Sequence, residues 1–160
     1  MAGKREYPSH PVVGVGGVVI RDARALLIRR GGEPLKGQWS IPGGTLELGE
    51  TLSAGVEREL LEETGLRVRV LGLIEVFERI FPGDGGAGAS RAPKTAPQYH
   101  FVIVDYLCEA LDAAAVPRPG GDVTDVAFVS EEELPRYGLT EAATRIIRKA
   151  FALSRDAGGM

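Results

Sequence analysis

Between Thr51 and Gly65 the chain carries the start and stop chemistry of a single helix, and that helix has to display three carboxylates on one face. Thr51 is a helix-capping residue and Gly65 a residue suited to the left-handed position just past a helix end, so Leu52 to Thr64 is predicted helical. At about 100° per residue, Glu59, Glu62 and Glu63 fall within an arc of about 100°. Acids at such spacings repel one another on a bare helix. A solvated acidic face is one way to tolerate them; a hard divalent cation such as Mg²⁺ is another, since it takes oxygen ligands and bridges carboxylates to substrate phosphates. Leu52, Val56 and Leu60 form an apolar stripe beside the acids and Leu61 lies on the far side. The pattern predicts a helix buried on two flanks, with its acids crowded into a cleft.

The wider spacing narrows the choice. Gly44 is followed after five residues by Glu50, after seven more by Arg58-Glu59-Leu60, then by Glu62-Glu63, Gly65 and Leu66. In this the chain resembles the Nudix hydrolases, whose signature has seven fixed identities and two aliphatic positions, all present here. The resemblance implies an α/β fold, a mixed β-sheet sandwiched between α-helices. It implies that Glu62 and Glu63 bind metal, and that Glu59 serves as metal ligand or as general base. The carbonyl of Gly43, just before Gly44, is implied as a further ligand, and Glu50 and Arg58 as an ion pair bracing loop against helix. The implied cofactor is Mg²⁺ or Mn²⁺, because oxygen ligands alone do not choose strongly between them. Trp39 to Gly44, WSIPGG, is predicted to be a tight turn whose paired glycines let backbone approach a ligand.

At 160 residues the chain fits one domain, read as a polar arm over 1–10 and a catalytic domain over 11–155. A net charge of −3 argues against nucleic acid polymer as partner, while metal ions would let an anionic nucleotide approach the acidic cluster. Cys108 is the only cysteine and sits in an apolar pattern, which reads as core. No apolar stretch reaches membrane-spanning length and no signal-like segment opens the chain, so no membrane partner and a cytoplasmic location are expected.

Valine-rich Pro11 to Ile20 reads as a central strand whose glycines serve close packing; GVGGVV lacks dinucleotide-loop spacing and no helix follows. Ala25 to Arg30 is a second strand, ending in Arg29 and Arg30, either of which can face solvent or substrate. Arg67 to Phe81 and Tyr99 to Cys108 read as extended, and Phe77, Phe81 and Tyr99 are candidates for an aromatic wall or for core packing. Residues 82–98, rich in Gly, Ala and Pro, are expected to form a mobile loop. Asp125 to Ser130 is a further strand, and Thr140 caps a closing helix whose Ile146, Ile147, Ala150 and Phe151 face the core.

Two further stretches, Val12 to Leu66 and Tyr99 to Tyr106, together with the closing helix, resemble bacterial ADP-ribose pyrophosphatases. The implied reaction is hydrolysis of a diphosphate linkage in a nucleoside diphosphate joined to another group. ADP-ribose would give AMP and ribose 5-phosphate. The attacking water needs a carboxylate base. Glu59 is favoured, and Asp122 or Asp125 in GGDVTD is the alternative, although Asp beside Gly is commonly turn chemistry. Glu47 is a further candidate for a metal or water contact. Two other functions compete: a nucleoside triphosphate pyrophosphohydrolase that clears damaged nucleotides, and a nucleotide sensor without catalysis. Homodimerisation is compatible with the resemblance.

Overall fold

Alternation along Val12–Arg21 (β1) sends Val15 and Val19 to one face and Val18 to the other, and all three are buried. A strand buried on both faces must lie inside a sheet with cover above and below. The computed structural model, which describes residues 5–83 and 96–158, has that arrangement. The first half of β1 lies between Gly43–Thr45 (β4, antiparallel) and Pro97–Ala110 (β6, parallel, from Val12 opposite Phe101 to Val19 opposite Cys108). Its last residues pair instead with Arg24–Arg30 (β2), Ile20 facing Ala25. Trp39–Ser40 (β3) and Val123–Ser130 (β7) flank β2, and Val68–Pro82 (β5) runs antiparallel along the outer side of β6. β1 therefore belongs to both halves of one mixed seven-stranded sheet.

Leu52–Thr64 (α1) covers one face. The Thr51 hydroxyl accepts from the Ala54 N–H at 3.1 Å, and Gly65, at φ 73°, donates its N–H to the Leu61 carbonyl. Val56 and Leu60 pack on Val15, Val19, Leu26 and Cys108. Glu141–Gly158 (α2) covers the other face after a 3₁₀ segment, Glu131–Tyr137; the Thr140 hydroxyl accepts from the Ala143 N–H, and Ile146, Ile147, Ala150 and Phe151 meet Val18, Leu27, Leu107 and Val129. The α/β sandwich expected from the motif is the observed fold.

Local departures have physical reasons. Trp39 to Gly44 is two short strands rather than a tight turn, because Trp39 pairs with Arg29 while Gly43 and Gly44 pair with Gly16 and Val15. A Cβ on Gly43 would stand 2.2 Å from the Val15 carbonyl oxygen, so the glycine is needed for backbone approach. α1 is buried on one flank only: Leu61 is 38% exposed. The N-terminal arm is pinned, Tyr7 N–H donating to the Gln98 carbonyl at 2.7 Å and the Gln98 side-chain amide to Glu6 at 2.8 Å. Of the loop expected over 82–98, residues 84–95 lie outside those described, and Pro82 and Pro97 already pair as strand. Among the described residues no helix is long and apolar enough to cross a membrane.

Candidate active site

The outward face of α1 meets the β4 backbone, and the meeting line is where the charges gather. Arg58 is the hub. Its Nε and Nη2 donate to the two Glu50 oxygens at 2.6 and 2.9 Å, Nη2 also reaches the Thr45 carbonyl at 3.1 Å, and Nη1 donates to Glu59 at 2.8 Å and Glu62 at 3.3 Å. These bonds hold the Glu50 carboxyl down to about 2 and raise the Arg58 guanidinium above its ordinary value. On the next turn Glu63 accepts from the Gly43 N–H at 2.8 Å. Burial pushes Glu63 up to about 7, the like charges of Glu59 and Asp122 adding to it against the Gly43 bond. Glu59 is raised as well, burial outweighing its bond to Arg58. Glu62 stands further out of the cluster, with its side chain 55% exposed. The predicted crowding thus holds for Glu59 and Glu63 and not for Glu62.

These acids line one wall of a cleft whose other wall is Arg30, Gly121 and Asp122, with Glu47 at the rim. Among the described residues, no three Asp, Glu, His or Cys side chains converge into a ready metal cage. The reason is visible in the bonds: Glu59 and Glu62 share Arg58 Nη1, while Glu63 turns to Gly43.

A second hollow opens on the opposite side of β4 and shares Arg5, Arg30, Gly43, Gly44 and Thr45 with the first. Its walls are Phe77, Phe81, Phe101 and Ile103, and it also holds Arg79 and Asp105. Burial lowers both Arg30 and Arg79 from the usual arginine range.

The structure divides the sequence candidates. Gly43, Gly44, Glu47, Arg58, Glu59, Glu62, Glu63 and Asp122 line the cleft, Phe77 and Phe81 line the second hollow, and Arg30 lines both. Glu50 is held on Arg58 outside the cleft lining, as the bracing pair requires, and three further candidates fall elsewhere. Arg29 is exposed and donates from Nε to the Gly37 carbonyl, because its strand position points away from Arg30's side. Asp125 pairs opposite Arg29 within β7 and its carboxylate accepts from the Val126 N–H at 2.9 Å, so it is a strand residue and does not reach the cleft. Tyr99 is buried, its ring 5.7 Å edge-on from Phe81 and 5.9 Å stacked on Phe101, which makes it backing for the wall rather than surface. Arg5, Arg79, Phe101 and Asp105 were not among the sequence candidates. An acid inside the apolar run YHFVIVDYLC was the available signal for Asp105.

The chain is similar to known proteins over most of its length. A family model described as NUDIX domain matches residues 10–150. A MutT-like protein of Streptomyces ambofaciens is 46% identical over 150 residues, covering 92% of this chain and 83% of its own. A Methanocaldococcus jannaschii protein named ADP-ribose pyrophosphatase is 31% identical over 130 residues, 81% of this chain and 68% of its own. Among solved structures, a MutT NUDIX hydrolase from Burkholderia pseudomallei matches with a TM-score of 0.70 at 29% identity, over 88% of this chain and 98% of that one.

Proposed function

The chain belongs to the Nudix family, a family of pyrophosphohydrolases, and from that premise we propose that it cleaves the diphosphate linkage of ADP-ribose with water, giving AMP and ribose 5-phosphate. The observation that carries this reading is the pair of joined hollows, one acidic and one aromatic, with Arg30 in the wall of both. A diphosphate flanked by a flat base has that division of chemistry.

Mg²⁺ or Mn²⁺ fits the donors available: Glu59, Glu62, Glu63 and the Gly43 carbonyl are hard oxygen ligands, and burial raises Glu59 and Glu63 despite the nearby Arg58 and Arg30. Such an ion supplies Lewis-acid polarisation of a phosphoryl oxygen and offsets charge on the departing phosphate. The chain's own part is positioning. Arg58 ties the Glu47–Glu50 loop to α1 and orients Glu59, whose raised pKa suits it to take the proton of the attacking water. Arg30 offers a cation to the diphosphate from the opposite wall, and Asp122 beside it is the alternative base.

A second reading, cleavage of a nucleoside triphosphate to monophosphate and pyrophosphate, is favoured by the concentration of Arg5, Arg30 and Arg79 around the aromatic hollow, none of which is ion-paired with a described carboxylate. Product chromatography with Mg²⁺ and a panel of ADP-ribose, sugar nucleotides, dinucleoside polyphosphates and triphosphates separates the two. AMP from ADP-ribose supports the first reading and pyrophosphate from a triphosphate the second. Absence of turnover across the panel would sink both.

A further inference from the structure

Asp105 is 3% exposed, yet its carboxylate lines the aromatic hollow. No described residue donates a hydrogen bond to it or pairs with it; Arg79 and Glu75 influence it only at longer range. Its oxygens are therefore not sealed in the core: they open on the hollow, where a ligand's donor can meet them. The chain also keeps space for it: a Cβ on Gly16, directly opposite on β1, would stand 2.4 Å from Asp105 Oδ1. The hollow's flat walls are Phe77, Phe81, Phe101 and Ile103, with the cations of Arg5, Arg30 and Arg79 in the same lining.

A carboxylate there repels phosphate and accepts N–H or O–H donors. The apolar walls suit a planar ring over a sugar, because stacking on aromatic side chains rewards any base π-face. Among the polar atoms of a nucleobase, the exocyclic amine is the donor that reaches furthest from the ring. We propose that Asp105 is the specificity-determining residue of this site, accepting a hydrogen bond from the exocyclic amine of the substrate's nucleobase. The inference rests on reading the acidic cleft as the place of diphosphate hydrolysis. Burial pushes Asp105 up to about 7 despite the pull of Arg79, in keeping with a group whose solvation is replaced only when a ligand arrives. A hydroxyl or amide donor of a substrate is discriminated strongly by such a group, since the analogue lacking it leaves the acceptor buried and unpaired.

The test compares two substrate pairs that differ only in the amine: ADP-ribose against its 6-deamino purine counterpart, and ATP against purine riboside triphosphate. kcat/KM is measured for wild type, Asp105→Ala and Asp105→Asn. Wild type is expected to prefer the amine-bearing member by roughly 10- to 100-fold, the loss falling mainly on KM. Asp105→Ala collapses the preference to within a few fold, and Asp105→Asn, which keeps a carbonyl acceptor, restores part of it. A wild type indifferent to the amine overturns the inference without recourse to any variant. So does an Asp105→Ala enzyme that keeps the preference. Amine selectivity confined to the triphosphate pair, with ADP-ribose inert, retains the inference and overturns the ADP-ribose reading.

Discussion

Arg58 grips Glu50 at two points, Nε to Oε2 at 2.6 Å and Nη2 to Oε1 at 2.9 Å, so the loop that precedes α1 is fastened to the middle of the helix it introduces. The same guanidinium reaches Glu59 at 2.8 Å. A single side chain sets both the loop and the proposed base.

Glu50 titrates near 2 in the fold against an ordinary 4.5, because Arg58 stabilises its charged form. A depressed acid contributes stability that is complete above about pH 4.5 and is lost as pH falls toward 2. Glu50→Gln is expected to cost about 1–3 kcal/mol at pH 7. Thermal melts across pH should show the gap to wild type closing below pH 4.5. A gap independent of pH would mean that the charge is not what matters.

Glu63→Gln removes the most buried charge of the α1 cluster while keeping its size and its bond from Gly43. Turnover of whichever nucleotide the enzyme accepts should fall on the order of 100-fold or more. Mn²⁺ affinity, read by calorimetry, should weaken in parallel, and EDTA should abolish wild-type turnover until Mg²⁺ is returned. Unchanged Mn²⁺ affinity would remove Glu63 from the proposed ligands.

The two glycines Gly43 and Gly72 should behave oppositely. A Cβ on Gly43 meets backbone, Val15 O at 2.2 Å and Gly16 Cα at 2.7 Å, which cannot swing aside. Gly43→Ala is expected to destabilise by about 2–3 kcal/mol and to displace the β4 carbonyl from the cleft. Gly72→Ala meets nothing within 4 Å and should be neutral or slightly stabilising in denaturant unfolding. Equal costs at the two positions would contradict the close β1–β4 approach.

Asp105 titrates near 7 against an ordinary 3.8, so its folded-state pKa is raised. Its favourable contribution is complete below about pH 3.8 and disappears as pH rises through 7. Asp105→Asn should therefore melt a few degrees above wild type at pH 8, with the two converging near pH 4. A variant that melts lower at pH 8 would assign Asp105 a structural bond that the geometry lacks.

The helix and its acids were legible in sequence because caps, glycine stop and residue spacing are local. Thr51, Gly65, Val56 and Leu60 all stand as expected. What escaped depends on which strands lie side by side. Two- and three-residue strands such as β3 and β4 have no period to detect, so WSIPGG read as a turn. Leu61 looked like a second apolar flank, but among the described residues it stays 38% exposed. Arg5 sat in an arm with no local pattern, and the bonds of Glu6 and Tyr7 to Gln98 bring it to the hollow. Asp105 lay unremarked inside an expected strand; its place opposite Gly16 follows from a parallel alignment of segments far apart in sequence. Arg29 and Arg30 looked equivalent, and strand direction alone separates them.

The parallel pairing of β1 with β6 also orders events during synthesis. A nascent chain that ends after α1 already contains every residue of the Nudix motif, yet one of β1's long edges has no neighbour and the aromatic hollow lacks Phe77, Phe81, Phe101 and Asp105. Closing that distance costs chain entropy before any contact rewards it. Until Ala110 has been made β1 has no parallel neighbour, and Val18, whose cover comes from α2, waits longer still for its packing partners.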